Sequence, residues 1–137
     1  TMKLDDGRIF ASLVSDVVNN RSLIIKSDGK AVRPFCYISD TVSALFTILL
    51  KGKNGEAYNI SNPTQSVSVN QLVKIIANIF PEKNLKIIKK SNLKPKYVNK
   101  SVTIQKPDIS KTQKLGWHPT FSIKNGFRRT IVSFLEN

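Results

Sequence analysis

Helical signals outnumber strand signals in this chain, and the strands are short. Apolar residues recur at helical spacing in four stretches, whereas the runs with strand character are only about four to eight residues long. The two kinds alternate, the order of an α/β chain. So few short strands cannot build a sheet with helices on both faces. The chain therefore reads as one lobe of a larger α/β body. Its purely apolar runs, such as Ala44-Leu45-Phe46, fall far short of the roughly 20 residues that span a bilayer.

Local signals place the elements. Asp5 or Asp6 can cap a helix over residues 5–18, with Ile9, Phe10, Leu13, Val14 and Val17 on one face. Residues 23–26 form a strand, Asp28-Gly29 a turn, and residues 31–38 a return strand, together a hairpin. Ser39-Asp40 opens a second helix that presents Val42, Leu45, Phe46, Leu49 and Leu50 and ends at Gly52. Residues 57–60 form a short strand. Ser68 and Gln71 have the spacing of a capping box, ahead of a helix with Leu72, Ile75 and Ile76. Residues 85–88 are a further strand, and the lysine-rich span 89–106 a long loop. Asp108 caps a short helix ending at Gly116, and Ser122 caps the last one.

The charge calls for an anion or for solvent. Twenty-two basic against nine acidic residues give a net charge of +13. Residues 83–114 hold ten lysines against one aspartate, a net +9 of that total. Such a stretch is either a solvated face or part of a nucleic-acid groove, and charge patterning favours the solvated face. The five arginines lie elsewhere, at 8, 21, 33, 128 and 129.

Catalytic chemistry is sparse. His118 is the only histidine, set between Trp117 and Pro119 where a turn residue is expected. A single cysteine, Cys36, excludes an internal disulfide and a cysteine-based metal site, and its place beside Phe35 and Tyr37 suits an inert thiol. The start, Thr1-Met2-Lys3-Leu4-Asp5-Asp6, lacks the apolar core of a signal peptide, so a soluble cytoplasmic unit is expected. Gly52-Lys53-Asn54-Gly55 begins like a phosphate-cradling loop, but Tyr58 stands where the third glycine belongs and a strand follows instead of a helix. Tyr97 and Lys100 are three apart, one short of a catalytic Tyr/Lys pair on one helix face. Arg33 is the strongest binding candidate. Amid apolar neighbours, its guanidinium either lies on the outer face or meets an anion such as a phosphate.

Five motifs then occur in a familiar order. Leu4-Asp5-Asp6-Gly7-Arg8-Ile9-Phe10 is followed by the run from Ser27-Asp28-Gly29-Lys30 through Arg33-Pro34-Phe35-Cys36-Tyr37 to Asp40. Gly55-Glu56-Ala57-Tyr58-Asn59-Ile60 comes next, and then Pro107-Asp108-Ile109-Ser110-Lys111 with Leu115-Gly116-Trp117-His118-Pro119. Gly126-Phe127-Arg128-Arg129-Thr130-Ile131 closes the series. Together they resemble the second half of the extended short-chain dehydrogenase/reductases, the NAD-dependent nucleotide-sugar epimerases, dehydratases and decarboxylases.

The resemblance implies a fold, a ligand and a division of labour. The fold is the α/β carboxy-terminal substrate-binding lobe of such an enzyme, one domain over residues 1–137, without the Rossmann NAD-binding half. The ligand is a nucleoside-diphosphate sugar. Arg33 matches the family arginine that contacts the diphosphate. Lys106 stands near the place of a further arginine in many members, and supplies a point charge rather than a fork. Arg8 and Lys26 border the nucleotide pocket, Lys26 where many members have an aromatic residue. The glycine-rich NAD loop and the Tyr/Lys pair belong to the family's amino-terminal part, so this chain is expected to bind no NAD and to be inactive alone. Possible partners are that NAD-binding half or a second copy of the chain, with no membrane and no nucleic acid. The competing readings are a basic nucleic-acid-binding module and a degenerate dimerising scaffold.

Overall fold

The structure, a computed structural model, describes residues 3–5, 7–90 and 104–136. Five α-helices and four three-residue strands are seen among them, in the order α1 (Ile9–Val18), β1 (Leu23–Ile25), β2 (Val32–Pro34), α2 (Ile38–Lys51), β3 (Ser66–Ser68), α3 (Val69–Ala77), β4 (Ile87–Lys89), α4 (Ser110–Lys114) and α5 (Ile123–Leu135). No described helix is long and apolar enough to cross a membrane.

Most of the core lies between α1, α3, α5 and β1. Leu13, Val14 and Val17 of α1 meet Leu23 and Ile25 of β1, Leu72, Val73 and Ile76 of α3, and Ile123 and Ile131 of α5. The apolar spacing of α1 and α3 thus faces inward, and that of α5 does so through Ile123, Phe127, Ile131 and Phe134, while Leu135, expected on the same face, is exposed. The two local caps also form. Ser68 Oγ accepts from Gln71 N while Gln71 Oε1 accepts from Ser68 N, and Ser122 Oγ accepts from Asn125 N.

Strand pairing departs from the expected hairpin. β1 pairs in parallel with β4, Leu23 opposite Ile87, and β2 pairs antiparallel with β3, Arg33 opposite Val67. The Asp28-Gly29 turn instead seats on α3. Asn70 N donates to Gly29 O at 3.0 Å and Asn70 Nδ2 to Asp28 O at 3.0 Å. Gly29 has φ +69°, and a Cβ there would lie 2.4 Å from Asn70 Oδ1, so glycine is required on both counts.

A second, smaller core joins α2 to the stretch before α5. Trp117 is buried with Ala44 and Ile109. Its Nε1 donates to Asp40 O and to Ser43 Oγ, both at 3.0 Å. The Asp40 carboxylate accepts from Thr120 N (3.0 Å), Thr120 Oγ1 (2.9 Å) and Phe121 N (2.9 Å). Asp40 is therefore not the cap its position suggested, because α2 begins earlier, at Ile38, and leaves the carboxylate facing this turn. Asp5 does not cap α1 either: Arg8 occupies that position and makes no side-chain cap bond. Asp6 and the Tyr97/Lys100 pair lie outside the described residues.

Candidate functional site

The site develops from β2, which has a neighbour on each edge. On one edge Arg33 pairs with Val67 of β3, and Phe35 N donates to Gln65 O at 3.2 Å. On the other, Val32 bridges Ile104 in parallel, and Gln105 N donates to Val32 O at 3.4 Å. Side chains alternate along a strand, and parallel partners in register share a face. Val32 and Ile104 thus share one face, and Arg33 points to the other. Exposed Lys106 follows two residues after this isolated bridge, a tertiary pairing with no local sequence signal.

Arg33 is half-buried, and its Nη1 donates to Val32 O at 2.8 Å, which steers the guanidinium back along its own strand. Its antiparallel partner on β3 is Val67. A guanidinium fork matches an anion with paired oxygens.

The other two candidate cations lie on other elements. Arg8 is exposed at the start of α1. Lys26 is exposed after β1, in the other two-stranded sheet, where Lys90 N donates to Ile25 O at 3.0 Å. Lys26 thus adjoins Lys89 and Lys90, in the lysine-rich part of the chain.

An apolar cavity of about 650 Å³ opens beside β2, between α1, the β2–α2 connection and α5. Phe10 meets Phe35 edge-on at 5.1 Å, and Tyr37 meets Phe121 at 4.9 Å. Arg129 lies 4.8 Å from the Phe121 ring centroid. Gly126 lets α5 approach, since a Cβ there would come within 3.0 Å of the Tyr37 ring. Among the described residues no carboxylate or histidine lines this cavity, so they offer no acid/base pair there. Cys36 does line it, but burial pushes its thiol up from the ordinary value, the direction of an unreactive cysteine.

The remaining polar groups have structural work. Asp108 Oδ1 accepts from Ser110 N at 2.9 Å, and these bonds to Ser110 hold its carboxyl below the ordinary value. Lys111 pairs with Glu56, Thr112 Oγ1 donates to Asn59 O at 2.6 Å, and Asn59 Nδ2 donates to Asp108 O at 2.9 Å, so α4 is tied to residues 56–59. His118 is exposed beside Pro119, on a cleft with Asp108 and Gln113. Among the described residues no cluster of His, Cys, Asp or Glu could hold a metal ion. The Gly52–Gly55 turn does not fit a dinucleotide either, because its glycines follow α2 instead of opening a helix.

This architecture is part of an extended short-chain dehydrogenase/reductase fold. The UDP-glucose 4-epimerase of Thermotoga maritima, solved with UDP-glucose, superposes with a TM-score of 0.77 at 27% identity, covering 94% of this chain and 40% of that one. The UDP-glucuronic acid 4-epimerase of Bacillus cereus, solved with UDP-glucuronic acid and NAD, shares the fold with a TM-score of 0.77 at 23% identity, covering 95% and 40%. The model of the NAD dependent epimerase/dehydratase family matches residues 1–61. The human dTDP-D-glucose 4,6-dehydratase is 33% identical over 133 residues, which is 95% of this chain and 37% of that protein. UDP-glucuronic acid decarboxylase 6 of Arabidopsis thaliana is 29% identical over 126 residues, 91% and 34% respectively. The chain belongs to the NAD-dependent epimerase/dehydratase family. It spans about a third of the length of these curated relatives.

Proposed function

We propose that this chain is the substrate-binding part of an NAD-dependent nucleotide-sugar epimerase, dehydratase or decarboxylase, and that it holds a nucleoside-diphosphate sugar by its diphosphate. Arg33 is the principal contact. The observation that carries the reading is its setting, a half-buried guanidinium on β2 in a chain whose fold matches an epimerase solved with UDP-glucose. Lys106 supplies a further positive charge, and Arg8 and Lys26 border the nucleotide.

In this reading the chain binds and orients; it does not carry the chemistry. NAD accepts and returns a hydride in enzymes of this class. Neither the Gly52–Gly55 turn nor the aromatic cavity offers what that step needs, so NAD and the proton-transfer groups are assigned to the part of the relatives that this chain does not match. The purified chain is inactive alone. The +13 charge is then mostly solvated surface, with one diphosphate as its specific anion.

Titrations of UDP-, dTDP- and GDP-sugars beside short oligonucleotides, at two salt concentrations, test the ligand class. The expected outcome is sugar-nucleotide binding that Arg33→Ala weakens at least about tenfold, since a lost charged hydrogen bond is worth about 1.5–3 kcal/mol. Oligonucleotide binding that falls steeply with salt and ignores Arg33 would point to the nucleic-acid module instead.

A further inference from the structure

The turn that leads into β2 is seated on the first turn of α3. Gly29 is buried, and its carbonyl accepts from Asn70 N at 3.0 Å, which satisfies an amide that a helix start leaves without an intrahelical acceptor. The Asn70 side chain closes the same contact, because its Nδ2 donates to Asp28 O at 3.0 Å. The Gly29 backbone lies so near that side chain that a Cβ would fall 2.4, 2.6 and 2.7 Å from three of its atoms. Within the turn, Gly29 N donates to Ser27 Oγ at 3.2 Å and Lys30 N to Asp28 Oδ1 at 3.0 Å.

The seat carries an unsatisfied group. Asn70 Oδ1 is buried without a hydrogen-bond partner, and a buried acceptor left unpaired is destabilising. Alanine at this position would keep the main-chain bond to Gly29 O and bury no such oxygen. What asparagine adds is a donor aimed at Asp28 O. That bond acts close to the site. Gly29 stands four residues before Arg33, and Val32, next to Arg33, pairs with Ser68, two residues before Asn70. The entry to β2 is therefore closed into a small ring, with residues 29 and 70 joined at one end and residues 32 and 68 at the other. Ser68 is itself fixed by its capping box with Gln71. Arg33 Nη1 donates to Val32 O, so the guanidinium takes its position from the backbone that this ring sets.

We propose that Asn70 is a positioning residue for Arg33. By pinning the Asp28-Gly29 turn to α3, it fixes where β2 leaves that turn, and so holds the Arg33 guanidinium where it meets the second phosphate. Asn70 acts through the backbone and not through contact with the ligand. Small displacements matter for such a group, since a misplacement of about 1 Å costs up to about a hundredfold where geometry decides the outcome. The inference rests on the diphosphate reading of Arg33. Its competitor is a role in folding alone, in which the turn does no more than cap α3.

The test is a double-mutant cycle in the whole chain, with the ratio of UDP to UMP affinity as its readout and melting curves to show that each variant is folded at the titration temperature. Asn70→Ala is expected to lower the UDP preference at least about threefold, the scale of one neutral hydrogen bond, with UMP affinity held within about twofold. In the Arg33→Ala background the same substitution is expected to change nothing further, because the two residues act as one unit. Asn70→Asp is the second variant. It keeps the size of the side chain and sets a carboxylate in the first turn of a helix, where it is favoured, but it has no donor for Asp28 O, so the same loss of UDP preference is expected. A UDP preference that survives both substitutions, UDP and UMP affinities that fall together, or a loss just as large in the Arg33→Ala background would overturn the proposal and leave the diphosphate reading standing. A wild-type chain with no UDP preference would overturn both.

Discussion

Two helices of this chain carry apolar stripes of similar design and meet opposite fates. On α3, Leu72, Val73 and Ile76 are buried completely, against α1, β1 and α5. On α2 the stripe of Leu45, Phe46 and Leu49 stays in solvent, and only Ala44 and Asp40 are buried. A helical period states that a face must be covered; it does not state what covers it. The α3 face finds its cover within these 137 residues. That of α2 does not among the described residues, and its neighbour at residues 57–60 lacks a strand to pair with in the same way.

Mutation can break this contrast directly. Ile76→Ala should cost about 2–5 kcal/mol, because it leaves a cavity in a core that cannot collapse around it. Phe46→Ala should cost under about 0.5 kcal/mol in the same isolated chain. Urea unfolding of the two variants side by side checks the pair. Equal losses would mean that α2 packs on its own chain after all.

Asp40→Ala should follow with about 2 kcal/mol. It strips the amides of Thr120 and Phe121 of their acceptor and loosens the α2–Trp117 junction. A smaller loss, with the Trp117 fluorescence unchanged, would mean that the buried indole alone holds α2 in place.

What the sequence disclosed divides along the range of the forces involved. The caps at Ser68 and Ser122 were legible because each is decided within three residues, whereas Asp108 stands one residue before the Ile109 cap position of α4 and accepts from Ser110 N. The stripes of α1, α3 and α5 were legible for the same reason. The partner of β1 was not. Asp28-Gly29 is a good hairpin turn locally, but the seat it finds on Asn70 and the parallel pairing of β1 with β4 outweigh that preference. Asp40 illustrates the same limit, since an aspartate near a helix start reads as a cap until the turn carrying Thr120 is folded onto it.

The site was legible to the same degree. Arg33 stood out by its chemistry and its motif, and the structure sets it on a strand paired on both edges. The bridge of Ile104 to Val32 was hidden, because it joins positions 72 apart in the chain.

Calorimetric titration of UDP and UMP into the wild-type chain and into Arg33→Ala tests the diphosphate claim most directly. If Arg33 grips the second phosphate, the wild type prefers UDP to UMP by at least about tenfold, and the substitution removes that preference. Equal affinity for UDP and UMP in the wild type, or a UDP preference that survives Arg33→Ala, would contradict it.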